Sequence, residues 1–255
     1  MRLLIIYHTG VGNTKMVAER IKRCFEEAEN QVYIFSLDQL PETILYSEFD
    51  GIVIGFPTIH THPTKRILHY IDSIDKLEKP MPAFIFTTCG LYSANTVRIF
   101  CRKSLIKNLI PIKCASYRCA ATDGVLIAPY IKFIGKPEKY LEQKILKDCM
   151  IFIDKLKNGK TSAHIPRFKF YSIINYPNKV VGQHITFPIY LHKSQCTKCG
   201  KCINDCPSKA LVADKESFPQ FDRVKCEKCY RCIHHCLNKA LSLSKREISK
   251  VTIRN

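Results

Sequence analysis

The sequence predicts two units: a doubly wound α/β domain with a five-stranded parallel sheet, and a small α+β domain organised by cysteines. Three observations predict this. Over residues 1–160, apolar runs of strand length alternate with segments of helical period. A glycine-bearing loop joins the first run to the first helix. Near the C-terminus, two cysteine runs share one spacing.

Residues 3–7 (LLIIY) are continuously apolar, as a strand covered on both faces requires. Residues 14–28 carry Met16, Val17, Ile21, Cys24 and Phe25 at helical spacing. Strands are expected at 32–35 and 51–55, then a helix at 65–77 with Ile67, Leu68, Ile71 and Ile74 on one face. A strand at 83–87, a helix at 94–109, a strand at 112–117 and a helix at 138–156 complete the unit. Such alternation implies parallel strands with helices on both faces of the sheet. Residues 121–135 (ATDGVLIAPYIKFIG) break the rhythm. They read as an apolar loop packed on the domain, or as a docking surface beside a cofactor. Asn158-Gly159-Lys160 offers C-cap chemistry, so the first domain is expected to span 1–160.

Residues 161–190 are rich in aromatic and basic side chains, including Arg167, Phe168, Lys169, Phe170, Tyr171, Tyr176, Lys179, Phe187 and Tyr190. A flexible linker would be polar and rich in glycine and serine, so this stretch is expected to pack and tie the domains together. Residues 191–246 form an internal duplication. Each cysteine run is followed by Lys-Ala-Leu, at 209–211 and 239–241, and a hairpin-like segment at 217–222 lies between. So short a unit cannot build a self-sufficient core, and bound metal is expected to supply folding energy. Residues 247–255 read as a basic tail.

The runs are Cys196-x2-Cys199-x2-Cys202-x3-Cys206-Pro207 and Cys226-x2-Cys229-x2-Cys232-x3-Cys236. Zinc sites usually present CxxC pairs, whereas two four-cysteine runs are the spacing of bacterial ferredoxins with two [4Fe-4S] clusters. In that pattern the fourth cysteine of each run ligates the other cluster. The expected ligands are Cys196, Cys199, Cys202 and Cys236 for cluster 1, and Cys226, Cys229, Cys232 and Cys206 for cluster 2. Backbone N–H groups around 199–201 and 229–231 are expected to bond cluster sulfurs, while Lys198, Lys201, Lys228 and Arg231 favour the reduced clusters. His234 and His235 lie inside the second run, but four thiolates already complete the site. The other six cysteines (Cys24, Cys89, Cys101, Cys114, Cys119, Cys149) show no disulfide framework and fit a reducing compartment. Cys89 stands apart because it falls on a predicted strand-end loop.

The first strand runs into Thr9-Gly10-Val11-Gly12-Asn13-Thr14 at the start of the first helix. Glycines permit a tight turn, and hydroxyls with unpaired helix N–H groups bind an anion. No Lys-Ser or Lys-Thr follows, so this is not a Walker loop; nor is it GxGxxG, which disfavours a dinucleotide site. Tyr7-x-Thr9-x-x-Gly12-x-Thr14-x-x-x-Ala18 resembles the flavodoxin signature, whose loop holds the phosphate of FMN. The resemblance implies that the loops after strands three and four sandwich the flavin ring. Pro57, Thr58, Ile59 and His60 would lie on one side, and Cys89, Gly90, Leu91 and Tyr92 on the other, with Tyr92 stacking. The chain has no tryptophan, which excludes a Trp–Tyr sandwich. His60 and His62 lack the nearby acidic or cysteine partners of a metal site, and Ser93 lacks the GxSxG context of a nucleophile. The whole chain resembles the flavodoxin–ferredoxin fusion family, often labelled EFR-type ferrodoxins.

The formal charge is +18; two oxidised clusters lower it to about +14. Such a field steers an acidic redox protein or enzyme toward the chain, and also attracts an anionic membrane surface or nucleic acid. No apolar run reaches membrane-helix length and the apolar start is too short for a signal peptide, so a cytoplasmic location is expected. Three functions follow. The first is electron transfer within one molecule, between two [4Fe-4S] clusters and FMN, serving a redox partner. The second is a flavin-dependent reductase of a small substrate such as a quinone, with 121–135 as pocket wall or membrane-touching surface. The third, a cluster-stabilised nucleic-acid-binding or redox-sensor protein, leaves the flavin loop unexplained.

Overall fold

The computed structural model describes residues 1–128, 130, 131, 133–159, 161–170, 172 and 188–245. Pro129, Lys160, Tyr171, Tyr176, Lys179, Phe187 and the tail 247–255 lie outside the described residues.

Five strands pair in parallel: β1 (Arg2–Tyr7), β2 (Gln31–Ser36), β3 (Gly51–Ile59), β5 (Met81–Cys89) and β6 (Leu109–Arg118). Their order, β2-β1-β3-β5-β6, reverses direction beside β1, which opens a cleft at the C-terminal strand ends. The pleat sends successive side chains to opposite faces. Leu3, Ile5 and Tyr7 therefore join Val53, Phe84 and Phe86 under α1 (Asn13–Glu27) and α5 (Leu141–Lys157). Leu4 and Ile6 join Ile52, Ile54 and Phe56 under α2 (Lys65–Ser73) and α3 (Thr96–Ile106). Each fully buried aliphatic or aromatic side chain here contributes about 1.5–3 kcal/mol.

The third and fourth strands outrun the expected loops. β3 continues through Pro57 and Thr58 to Ile59, then folds back as β4 (His62–Pro63), with Ile59 opposite His62. The two-residue turn puts His60 (φ 47°) and Thr61 (φ 60°) in the left-handed region, as tight hairpins demand. That conformation is costly for a β-branched threonine and holds His60 at the strand end. β5 likewise carries Cys89 as its last residue.

The C-terminal unit has two antiparallel pairs, β7 (Tyr190–Leu191) with β10 (Leu241–Ser242), and β8 (Leu211–Ala213) with β9 (Pro219–Phe221). Two single-turn helices, α6 (Lys201–Asn204) and α7 (Arg231–His234), sit within the cysteine runs. The duplication is visible in the backbone. Lys198 and Lys228, Gly200 and Tyr230, and Lys209 and Lys239 are left-handed in matching pairs. The core is small: Leu211, Tyr230, Cys232, Ile233 and Leu241.

The segment 121–135 forms α4 (Gly124–Ile127) and its own small core of Ala121, Val125 and Ile134. Leu126 packs against the C-terminal core as well, and His234 Nε2 donates to the Thr122 carbonyl at 2.9 Å. The insertion is thus a bridge between domains, with Ile127, Tyr130 and Phe133 exposed on its far side. Of 161–190, residues 161–170 run along the first domain, while Ile189 and Tyr190 join the C-terminal unit. His164 N–H donates to Pro111 O (2.6 Å), Arg98 to Pro166 O (2.8 Å), and Lys169 N–H to Asn95 Oδ1 (2.9 Å).

The domain interface is otherwise polar. Arg66 N–H donates to Glu227 Oε1 at 2.8 Å, and Lys65 Nζ to Val224 O at 3.3 Å. Glu227 Oε2 lies 3.5 Å from His8 Nε2, both side chains buried. No helix among the described residues is long and apolar enough to cross a membrane.

Candidate functional site

A cleft opens where the sheet order reverses, enclosing about 610 Å³ with its open mouth included. Its first wall is the loop after β1: Thr9, Gly10, Val11, Asn13 and Thr14. Gly12 adopts φ 106° at the N-cap of α1, and its N–H donates to Thr9 Oγ1 at 3.1 Å. Gly12 shapes the loop from behind rather than lining the cleft. Asn13 Nδ2 donates to Ala120 O (2.8 Å), and the buried Thr14 hydroxyl meets that of Thr88 (2.8 Å). The leading N–H groups of α1 and the threonine hydroxyls suit a phosphate.

The second wall is Pro57, Thr58, Ile59 and His60, and the third is Thr88, Cys89 and Gly90. The Thr58 and Thr87 hydroxyls meet at 2.9 Å, and Thr87 donates to Phe56 O at 2.8 Å, so β3 and β5 are tied at the mouth. His60 Nε2 is buried with no hydrogen-bond partner among the described residues. Burial, then the charge of Lys228, holds its imidazole below the usual histidine value and hence neutral. A neutral ring at the wall fits the mixed donor and acceptor edge of a flavin. Cys89 lies 3.6 Å from Ser116 Oγ, and burial pushes its thiol up, keeping it protonated. A Cβ on Gly90 would stand 2.4 Å from the Ala121 Cβ, so glycine is needed for the strands and insertion to approach. Leu91 and Tyr92 fall outside the lining, 57% and 37% exposed.

The remaining wall joins the 121–135 segment, which the sequence offers as a surface beside a cofactor, to the second cysteine run, which local sequence does not announce. Ala120 immediately precedes the insertion, Thr122 and Asp123 come from it, and Lys228, Cys229 and Tyr230 come from the second cysteine run. A Cβ on Gly10 would stand 3.1 Å from the Cys229 Cβ, so the phosphate-type loop and that run are in direct contact. The run spacings are identical, and spacing alone cannot say which run meets the cleft. Glu227 where the first run has Thr197, and Tyr230 where it has Gly200, are the asymmetries that mark it.

Cys196, Cys199, Cys202 and Cys236 line a single cavity, which draws three residues from the first run and the last from the second. Burial, then Cys236, Cys196 and Cys199, pushes the Cys202 thiol up to about 11. In the other set, burial foremost pushes Cys229 up to about 12, with Cys226 and Cys206 adding. Burial, Cys229, Cys226, Cys202 and Cys206 also raise Cys232. Buried thiols whose sulfur neighbours oppose their ionisation, as at Cys202, Cys229 and Cys232, are donors that a cationic core relieves. Among the described residues no three His, Cys, Asp or Glu side chains converge as on a single ion; a cubane cluster instead spreads its thiolates over separate irons.

Sulfur hydrogen bonds follow the duplication. Ala210 N–H donates to Cys206 Sγ and Ala240 N–H to Cys236 Sγ, each at 3.3 Å. The N–H groups of Lys228 and Arg231 partly offset the upward push of burial on Cys226 and Cys229. The basic side chains have further partners. Lys201 pairs with Asp205 at 2.9 Å, Arg231 donates to Asp205 O at 3.1 Å, and Lys198 sits 4.4 Å above the Phe218 ring. Lys228 lines the cleft.

The family model of the flavodoxin domain matches residues 4–112, and that of the 4Fe-4S dicluster domain matches residues 188–239. A search of curated proteins returned no match. Among solved structures, oxidised flavodoxin 1 from Bacillus cereus is 20% identical, covering 60% of this chain and 98% of that one, with a TM-score of 0.47. Two-electron reduced Megasphaera elsdenii flavodoxin is 16% identical, covering 58% and 98% respectively, with a TM-score of 0.44. With a flavodoxin domain ahead of a 4Fe-4S dicluster domain, the chain has the organisation of a flavodoxin–ferredoxin fusion: an electron-transfer redox protein whose cofactors are FMN and two [4Fe-4S] clusters.

Proposed function

We propose that the protein passes electrons within one molecule between FMN and its two clusters, with cluster 2 against the flavin and cluster 1 as the outward port to an acidic redox partner. The FMN phosphate would rest on Thr9–Thr14, and the ring between residues 57–60 and 88–90. Cluster 2 would be held by Cys206, Cys226, Cys229 and Cys232; cluster 1 by Cys196, Cys199, Cys202 and Cys236. One observation carries the order: Cys229 lines the flavin cleft, whereas Cys199, its counterpart, is exposed. FMN accepts or releases one or two electrons while each cluster passes one. The chain's own contribution is to fix their sequence in space, keep solvent from the inner cluster and surround the outer one with positive charge.

The packing of 121–135 against the C-terminal core favours this reading over a quinone-type reductase, because that segment is spent on closing the cleft. The test is anaerobic. Iron, sulfide and FMN are counted per chain, the clusters are reduced rapidly, and flavin bleaching is followed by stopped flow. The expected rate is first order and independent of protein concentration. A rate that climbs in proportion to concentration would overturn the intramolecular route.

A further inference from the structure

We propose that Lys228, carried by the C-terminal domain, is a flavin-binding residue whose ammonium charge stabilises the reduced ring and so draws electrons out of cluster 2. The inference rests on reading the cleft as the FMN site. Lys228 lines that cleft together with His60, the residue held at the tip of the β3–β4 hairpin. Its field reaches the His60 imidazole, where it is the largest contribution after burial.

The comparison with the first run sharpens the point. Lys198 and Lys228 occupy the same repeat position with nearly the same backbone, φ 55° and φ 58°. Lys198 spends its ammonium on the Phe218 ring, but Lys228 is delivered to the neighbouring domain's cleft. The acidic side chain in the same wall, Asp123, uses Oδ1 to cap α4 by accepting from Gly124 N–H at 2.9 Å. Lys228 is thus a half-buried cation in the cleft wall, set between the Asp123 carboxylate in that wall and the Cys226 sulfur of its own run.

Charge near a flavin ring tunes its electronics. Each electron the ring gains is one that cluster 2 loses, with no further reactant, and uncompensated reduction leaves negative charge on the ring. A nearby cation lowers the energy of that state and leaves the oxidised ring almost untouched. Lys228 then biases the pair toward reduced flavin, and its charge is supplied by the same loop that holds Cys229. Cofactor binding in one domain and cluster ligation in the other thus meet at Cys229, with Lys228 and Tyr230 on either side in the same wall.

The test uses the full chain with both clusters and FMN loaded. Flavin and cluster potentials are titrated together in the parent, Lys228→Gln, Lys228→Met and Lys228→Arg, and FMN and riboflavin affinities are measured alongside iron content. The neutral variants should lower the equilibrium constant for one-electron transfer from cluster 2 to flavin about tenfold, a flavin shift of about 59 mV to more negative potential. Both clusters should shift less, Arg should restore the parent value, and the preference for FMN over riboflavin should stay constant. An unmoved flavin potential, or a cluster 2 shift larger than the flavin's, would overturn the proposal. So would a loss of FMN affinity that riboflavin does not share, which would put Lys228 on the phosphate. If the parent itself takes up no FMN, the cleft reading fails with it; if the parent binds FMN normally, a negative result removes the Lys228 role alone.

Discussion

The two cysteine runs share a spacing and differ in everything that surrounds it. In the first, Cys199 is exposed, Gly200 makes the left-handed turn, and a Cβ there would meet only Asn204 Nδ2 at 3.8 Å. In the second, Tyr230 makes the same turn at φ 56° with its ring 4% exposed, and Cys232, Ile233 and His234 are buried beside it. Thr197 faces Asn238 across the surface, while Glu227 at the matching position reaches the backbone of α2. The ligand positions decide that a cluster is held; the positions between them decide what the cluster faces. One copy of the duplicated unit has become an inner contact and the other an outer one.

The largest break of this asymmetry comes from the ligands themselves. Cys229→Ser should reduce flavin bleaching by the clusters to background, because it removes the sulfur that lines the cleft. Cys199→Ser should slow reduction by an external protein donor yet leave exchange between cluster 2 and flavin at the parent rate. Equal loss in both, with iron content matched, would mean that the runs are functionally interchangeable. Next in size is Tyr230→Ala. Removing a buried aromatic ring from so small a core should cost about 3 kcal/mol, read as a lower denaturant midpoint for the transition that releases iron. The β-sheet domain's own transition should not move.

Gly10→Val tests the contact between the two domains. The added branches have no room beside Cys229, whose Cβ already lies 3.1 Å from an ideal Cβ at residue 10. FMN affinity should fall about tenfold, or about 1.4 kcal/mol, with iron content unchanged in an equilibrium titration. Unchanged affinity would show that the domains yield at no cost and that the shared wall is incidental.

Much of the architecture was legible in the sequence because it rests on local rules. Residues 3–7 could only be a strand covered on both faces, and Thr9–Thr14 could only open a helix with its N–H groups free. The ferredoxin pattern implies the crossed grouping of Cys196, Cys199, Cys202 and Cys236, and these four residues line one cavity. What sequence could not carry was orientation between units. In the sequence Lys228 serves its own cluster, and its charge does act on Cys226; that it also lines the neighbouring domain's cleft is visible only in the fold. Tyr92 is the expected stacking residue because it follows a strand end, but β5 continues to Cys89 and Tyr92 is absent from the cleft lining. The 121–135 segment showed no periodicity that could separate a loop from a bridge, since its partner, the C-terminal core, lies about a hundred residues away in the chain.

The smallest effect is expected at the outer turn. Gly200 has φ 71° and open space around it, so Gly200→Ala meets no steric obstacle and only the intrinsic cost of a left-handed residue. That cost is about 1–2 kcal/mol, and restricting the unfolded chain returns about 0.4–1 kcal/mol of it. The net loss should be about 1 kcal/mol or less, seen as a melting-temperature decrease of a few degrees in the loaded protein. Gly200→Asn should lose less than Ala, because asparagine tolerates the left-handed region. The second run already accepts a non-glycine residue at this position, since burial of the Tyr230 ring offsets the backbone strain. Gly200→Tyr should find no such compensation: its ring would lie on the solvent side, and the variant should be no more stable than Gly200→Ala. Stability equal to the parent would mean that the outer run has a docking groove for an aromatic ring, and the contrast between inner and outer copies would then lie in sequence alone.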